Sequence, residues 1–165
     1  MAIREVITTT MDALAICSNI VEDANNEVIF LSPPSLLIFT SQFGLFERIK
    51  MLTGKKIAVR GITDFSYGYI ETMREILNID VDLRHVSQYR NMFMLVGDRR
   101  ESICSLSIVT SNLSIDTPLI AFWSDDPTYV EYLSSVFEQA WTQATPVAQR
   151  IEELLKGQPP TDKSC

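Results

Sequence analysis

Residues 91–109 constrain the fold more than any other part of the chain. They read as two apolar strands joined by a short charged turn at 97–101. In the first, Met92, Met94 and Val96 alternate with Asn91, Phe93 and Leu95, so both faces are largely apolar. A strand of that kind needs cover on each side, as in an α/β layer structure. In the second, Ile103, Ser105 and Ser107 alternate with Cys104, Leu106 and Ile108, which makes one face small and hydroxylated. That polar face in an otherwise oily sheet marks Ser105 and Ser107 as candidate site residues.

The flanking sequence supplies the layers. Residues 3–24 are expected to be helical, because Ile7, Met11, Leu14, Cys17, Val21 and Ala24 recur at three- and four-residue steps. A short buried strand at 27–32 is broken by Ser32-Pro33-Pro34-Ser35. Ser35 is the expected N-cap of a helix to about Met51, with Gly44 as the point where it would split. A second strand follows at 57–62, then a turn at 63–66 in which Asp64 or Ser66 caps a helix reaching Leu77. The third strand is at 81–86. Beyond the hairpin come a Ser/Asn/Asp-rich loop and a last strand at 119–123. Asp126 as N-cap and Pro127 at the first helical position open a long helix. Ala144-Thr145-Pro146 interrupts it, and 147–156 is a separate short helix. The polar segment 157–165, with two prolines, is expected to be disordered. The predicted architecture is therefore α/β: residues 1–146 form a mixed sheet of about six strands, parallel in its first part with an antiparallel hairpin added, and helices cover both faces.

Composition narrows the function. A chain of 165 residues makes one domain with a sizeable core. Its net charge of −7 argues against a large phosphate-binding surface, since lysine and arginine drive such binding, and no direct nucleic-acid binding is expected. The Arg99–Arg100 pair and the group Lys50, Lys55 and Lys56 are read as solvated turns. Cys17, Cys104 and Cys165 have no paired spacing, and two of them sit in apolar patterns that suit buried free thiols. With no Cys/His cluster, neither a zinc site nor any other cofactor is expected. The N-terminus lacks a basic region followed by an apolar run, and no apolar window approaches a bilayer span, so a cytoplasmic protein without a membrane partner is expected.

The lone histidine, His85, limits general-base chemistry near neutral pH. Neither a Gly-x-Ser-x-Gly turn, a Gly-x-Gly-x-x-Gly run nor a phosphate loop is present. A ligand site is still indicated by position, because open α/β sheets bind ligands at the carboxyl ends of their strands. Those ends carry Ser32, then Thr63, Asp64 and Tyr67, then Arg84 and His85. Ser105 and Ser107 are expected to line the same cleft, with Trp123 as a wall.

Taken in order, a strand ending in Ser-Pro, a Lys-Lys-Ile-Ala-Val-Arg strand, a Val-Asp-Leu-Arg-His strand and the central hairpin resemble one repeat of the phospholipase D-like family. The likeness spans about residues 1–146, and the end, Phe122-Trp123-Ser124-Asp125-Asp126-Pro127 and Phe137-Glu138-Gln139-Ala140-Trp141, is similar to the effector domain of TrmB-type archaeal regulators and related sensor proteins. The active family pattern is His-x-Lys-x4-Asp on the hairpin. Alignment on Asp98 puts Asn91 in the histidine place and Phe93 in the lysine place. Asparagine forms no phospho-enzyme and phenylalanine holds no phosphate. The resemblance thus implies the fold without the activity, and Asn91 joins the candidate ligand-binding residues. TrmB-type regulators carry a winged helix before this domain; here the chain opens on its first expected helix.

The resulting expectation is a non-enzymatic sensory domain that binds a small effector or a protein partner in archaeal transcription or signalling. A homodimer is expected from the family's pairing habit and from the apolar residues Val147, Ile151, Leu154 and Leu155; the alternative is that this helix folds back on its own sheet. The rival functions are a phosphodiesterase-type hydrolase using His85 and a pocketless dimerisation scaffold.

Overall fold

Backbone pairing joins the alternating segments into one eight-stranded sheet, described for residues 2–106 and 112–161 by a computed structural model. Along the chain lie β1 (Glu5–Ile7), α1 (Thr10–Asp23), β2 (Glu27–Leu31), α2 (Pro34–Ser41), α3 (Leu45–Gly54), β3 (Ala58–Thr63), a 3-10 turn (Tyr67–Tyr69), α4 (Ile70–Leu77), β4 (Asp82–His85), β5 (Phe93–Gly97), β6 (Glu101–Ser105), β7 (Ala121–Ser124), α5 (Pro127–Gln143), β8 (Thr145–Pro146) and α6 (Val147–Leu155). The spatial order is β1-β7-β6-β5-β2-β3-β4-β8. The strands β2, β3 and β4 are parallel and every other pairing is antiparallel.

The sheet has eight strands instead of about six, and the two additions are its edges. Residues 5–7 pair with β7 and are not the start of α1. The run Val6-Ile7-Thr8-Thr9-Thr10 is β-branched and stiff at χ1, which favours extended backbone, and Thr9 caps α1 by accepting the Asp12 N–H at 3.1 Å. The second addition, β8, is two residues long and shows no period in the sequence. The helix expected from Ser35 to Met51 is split at Gly44, which holds φ +80°. Ser35 is not its cap: Pro33 occupies that position and Ser35 stands in the first turn. Asp126 does cap α5, accepting the Tyr129 N–H at 3.0 Å.

Alternate side chains of the strands feed two cores. Val28, Phe30, Val59, Leu83, Leu95 and Ile103 pack with α1, α3, α4 and α6. Ile29, Leu31, Ile62, Met94, Val96 and Cys104 pack under α5 through Val130, Leu133, Phe137 and Ala140. Of the α6 residues proposed from sequence as a dimer surface, Val147 and Ile151 lie in the first core, Leu154 is partly buried against it and Leu155 is exposed.

Candidate functional site at the strand ends

Because β2, β3 and β4 run parallel, their carboxyl ends share one rim, and the start of β5 and the end of β6 come to the same place. Thr63 and His85 are cross-strand partners there, and both are closed from solvent, at 2% and 1% exposure. His85 Nε2 lies 3.2 Å from Asp64 Oδ1. The other oxygen of Asp64 accepts Arg90 Nε at 2.9 Å, and the ring of Phe65 meets the imidazole edge-on at 5.4 Å between centroids. An imidazole, a carboxylate and a guanidinium thus run from the sheet interior to the surface.

Over this rim opens a cleft of about 550 Å³ whose walls include Ser35, Asp64, Arg90, Asn91, Arg150 and Pro160. Its size suits a small molecule. Asp64 and Phe65 line it and His85 does not. Arg150, on α6, is 7% exposed and its partner Glu153 is 5% exposed; their charged atoms lie 3.3 Å apart. Burial works against the Glu153 charge, but donors on Thr161, Gln149 and Arg150 outweigh it and hold that carboxyl below its ordinary value. Residues 157–161 lie along α6, with the Gln158 carbonyl accepting from Arg150 Nη1 at 3.1 Å.

Of the residues singled out from sequence, Asp64 and Asn91 line the cleft, and Ser32, Thr63 and His85 are buried at the same rim. Arg84 is on the other face, its guanidinium 4.0 Å from the Trp141 ring centroid, because it alternates with His85 along β4. Tyr67 is 65% exposed and lies off the cleft. The Ser105 hydroxyl is spent on the Ile120 carbonyl at 2.7 Å. Ser107 falls outside the described residues. Trp123 is at the opposite end, since β7 runs antiparallel to β6, and its indole N–H donates to Glu101 Oε2 at 3.3 Å. Sequence reasoning missed Ser35, Arg90, Arg150 and Pro160. For Arg150 a signal exists: it sits with Val147, Ile151 and Leu154 on the apolar stripe of α6, a place where a cation requires a reason.

The hairpin accounts for Phe93 and Asp98. Asp98 and Arg99 both have positive φ, 50° and 53°, and the Arg100 N–H closes the turn onto the Gly97 carbonyl at 2.9 Å, the mirror-image turn that suits strand twist. Asp98 accepts the backbone N–H groups of Asn25, Asn26 and Glu27 at 2.8, 2.8 and 2.9 Å. Arg99 is not merely solvated: it donates to Glu27 at 2.9 Å and to Glu138 at 2.9 Å, beside Arg60, which donates to Glu138 at 2.7 Å. Phe93 packs on the first core and borders two small, largely apolar cavities, one shared with Leu37 and Ile49, the other with Cys17 and Phe39.

The fold is phospholipase D-like: a mixed sheet, helices on both faces, and a central hairpin whose turn carries the aspartate. Three solved structures share it across 86% of this chain. Nuc from Salmonella typhimurium, a phospholipase D family member, superposes with a TM-score of 0.66 at 12% identity over 97% of its own chain. NucT from Helicobacter pylori gives 0.65 at 14% identity, also over 97%. TrmBL2, an archaeal chromatin protein described with a novel mode of DNA binding, gives 0.65 at 15% identity, and the chain spans only 53% of its length. At these identities the likeness is one of fold. No family model and no curated protein matches the sequence. Among the described residues, no group of three His, Cys, Asp or Glu side chains is placed to hold a metal ion, and no helix is long and apolar enough to cross a membrane.

Proposed function

We propose that this chain is a non-catalytic regulatory domain that binds a small ligand in the strand-end cleft. The observation that carries the reading is the contrast between the cleft and its histidine. The cleft is open and lined by Asp64, Arg90, Asn91 and Arg150, whereas His85, the sole imidazole, is 1% exposed beneath Asp64. A nucleophile on phosphorus must meet its substrate in line and beside a cation. The aligned positions instead hold an amide at Asn91 and, at Phe93, a partly buried ring packed on the first core. TrmBL2 binds DNA, but a net charge of −7 gives this chain little drive toward phosphates, and direct nucleic-acid binding is not part of the reading.

A thermal-shift screen against metabolites tests it. A ligand at 100 times its dissociation constant adds roughly 2.7 kcal/mol of stability, and Asn91→Ala abolishes that shift. Turnover of a phosphodiester that disappears in His85→Ala, with the variant still folded, would instead establish the hydrolase. Of the α6 surface from which a homodimer was expected, only Leu155 is exposed. Support for the homodimer passes to the sheet face beside β7, where Leu106, Ile120 and Val6 are 67%, 60% and 56% exposed; light scattering that gives a monomer removes it.

A further inference from the structure

Arg150 is the sole buried arginine or lysine among the described residues, at 7% exposure. One of its terminal nitrogens is committed: Nη1 donates to Glu153 Oε2 at 3.3 Å and to the Gln158 carbonyl at 3.1 Å. Its Nε is buried with no acceptor among the described residues, and Nη2 makes no hydrogen bond there either. Nε and Nη2 together form the side edge of the guanidinium, the edge that grips a planar oxyanion through two parallel bonds. A buried donor left unmet carries a desolvation penalty, so its persistence needs a ligand or a water to explain it. Arg150 lines the cleft, and so does Ser35, whose Oγ is buried with no hydrogen-bond partner among the described residues. Two side chains, one on α2 and one on α6, thus border one space, each with a polar atom unmet among the described residues.

Charge selects among oxyanions. Glu153 already offsets Arg150, and Asp64 offsets Arg90. The cleft has no surplus of positive charge for a dianion, but its wall holds a two-pronged donor edge and a hydroxyl whose hydrogen bonds are unmet among the described residues. We propose that the cleft takes a small carboxylate, held on the Nε–Nη2 edge of Arg150 with the Ser35 hydroxyl as a further donor. This rests on the reading of the strand-end cleft as a ligand site and names the chemical class.

The test measures Tm of the full chain with acetate, succinate or benzoate, with inorganic phosphate, and with sorbitol, each at equal ionic strength. A carboxylate is expected to raise Tm by about 3 °C. Arg150→Lys keeps a cation beside Glu153 but lacks the fork, and binding weakens roughly tenfold or more. Ser35→Ala, which removes a single hydroxyl and carries the test should the first variant fold poorly, weakens binding by roughly three- to tenfold. A shift with sorbitol or phosphate alone that Asn91→Ala removes overturns the carboxylate and leaves the ligand-cleft reading standing. A carboxylate shift that survives both Arg150→Lys and Ser35→Ala overturns the assigned donors. No shift with any probe overturns the inference, and the metabolite screen then decides the broader reading by itself.

Discussion

The carboxylate of Asp98 accepts the backbone N–H of Asn26 at 2.8 Å, across the gap between the β5–β6 turn and the loop that starts β2. With Asn25 and Glu27 it takes three main-chain donors, and its own N–H returns a bond of 2.9 Å to the Glu27 carbonyl. The residue that matches the phospholipase D pattern is therefore a clamp that ties the hairpin to α1 and β2.

The clamp has a pH signature. Partial burial opposes ionisation of Asp98, and the three N–H donors with Arg100 nearby overcome it, so its carboxyl lies below the ordinary 3.8. A depressed folded-state value means stability that is present above the unfolded value and lost as pH falls through the folded one. Asp98→Ala is expected to cost about 1–3 kcal/mol at pH 7. Urea titrations should show that difference shrinking below about pH 4; a gap constant down to pH 2 would contradict the clamp.

Installing the phospholipase D pattern on the hairpin should fail. Phe93→Lys would put an ammonium among Leu37, Ile49, Cys17 and Phe39 around the two cavities. Losing the ring and burying a charge costs about 3–5 kcal/mol. The double variant Asn91→His/Phe93→Lys is expected to denature at lower urea and to leave bis(p-nitrophenyl) phosphate intact. A stable, active double variant would show that the scaffold can support the chemistry.

The parallel strands, the hairpin, the capped α5 and the break at Gly44 were legible because each has a local cause: apolar runs, a turn, a capping carboxylate, a glycine with φ +80°. The edges were not. Residues 5–7 carry a period that suits the helix after them, and pairing with β7 is decided 114 residues later, at Ala121 and beyond. The candidate residues were legible by rim and not by face. Asp64 and Asn91 border the strand-end cleft and His85 is buried at the same rim, whereas Arg84 lies on the other face and Trp123 at the other end, because the face and the direction of a strand depend on partners the sequence does not mark. Arg150 reaches the cleft from α6 and Pro160 from the segment that runs back along that helix. Both are tertiary contacts with no local signal beyond a cation on an apolar stripe.

The thiols give a direct check on burial. Cys17 and Cys104 are 4% and 1% exposed. Burial pushes Cys17 up to about 12, against a weaker opposing hydrogen bond, and Cys104 up to about 11. Thiolate, not thiol, attacks alkylating reagents, so neither should react at pH 8 in the folded protein. Iodoacetamide treatment and mass spectrometry are expected to mark both only after denaturant is added. Rapid native labelling of Cys104 would mean that α5 does not stay seated on the sheet.

Gly61 offers the sharpest test of packing on the sheet. A Cβ built there would lie 2.2 Å from Phe30 Cζ, with two more ring atoms within 2.7 Å. Phe30 and Gly61 are cross-strand partners at the centre of the sheet, so the ring lies flat over the glycine and β3 has no room for a side chain. Gly61→Ala is expected to destabilise by about 1–3 kcal/mol through overpacking, read as a lower urea midpoint at unchanged slope. Phe30→Leu costs stability by itself through lost burial, yet it removes the atoms that the new methyl would strike. The two changes should therefore couple: Gly61→Ala made in the Phe30→Leu background costs at least about 1 kcal/mol less than in the parent chain. Strict additivity would mean that the ring turns aside freely.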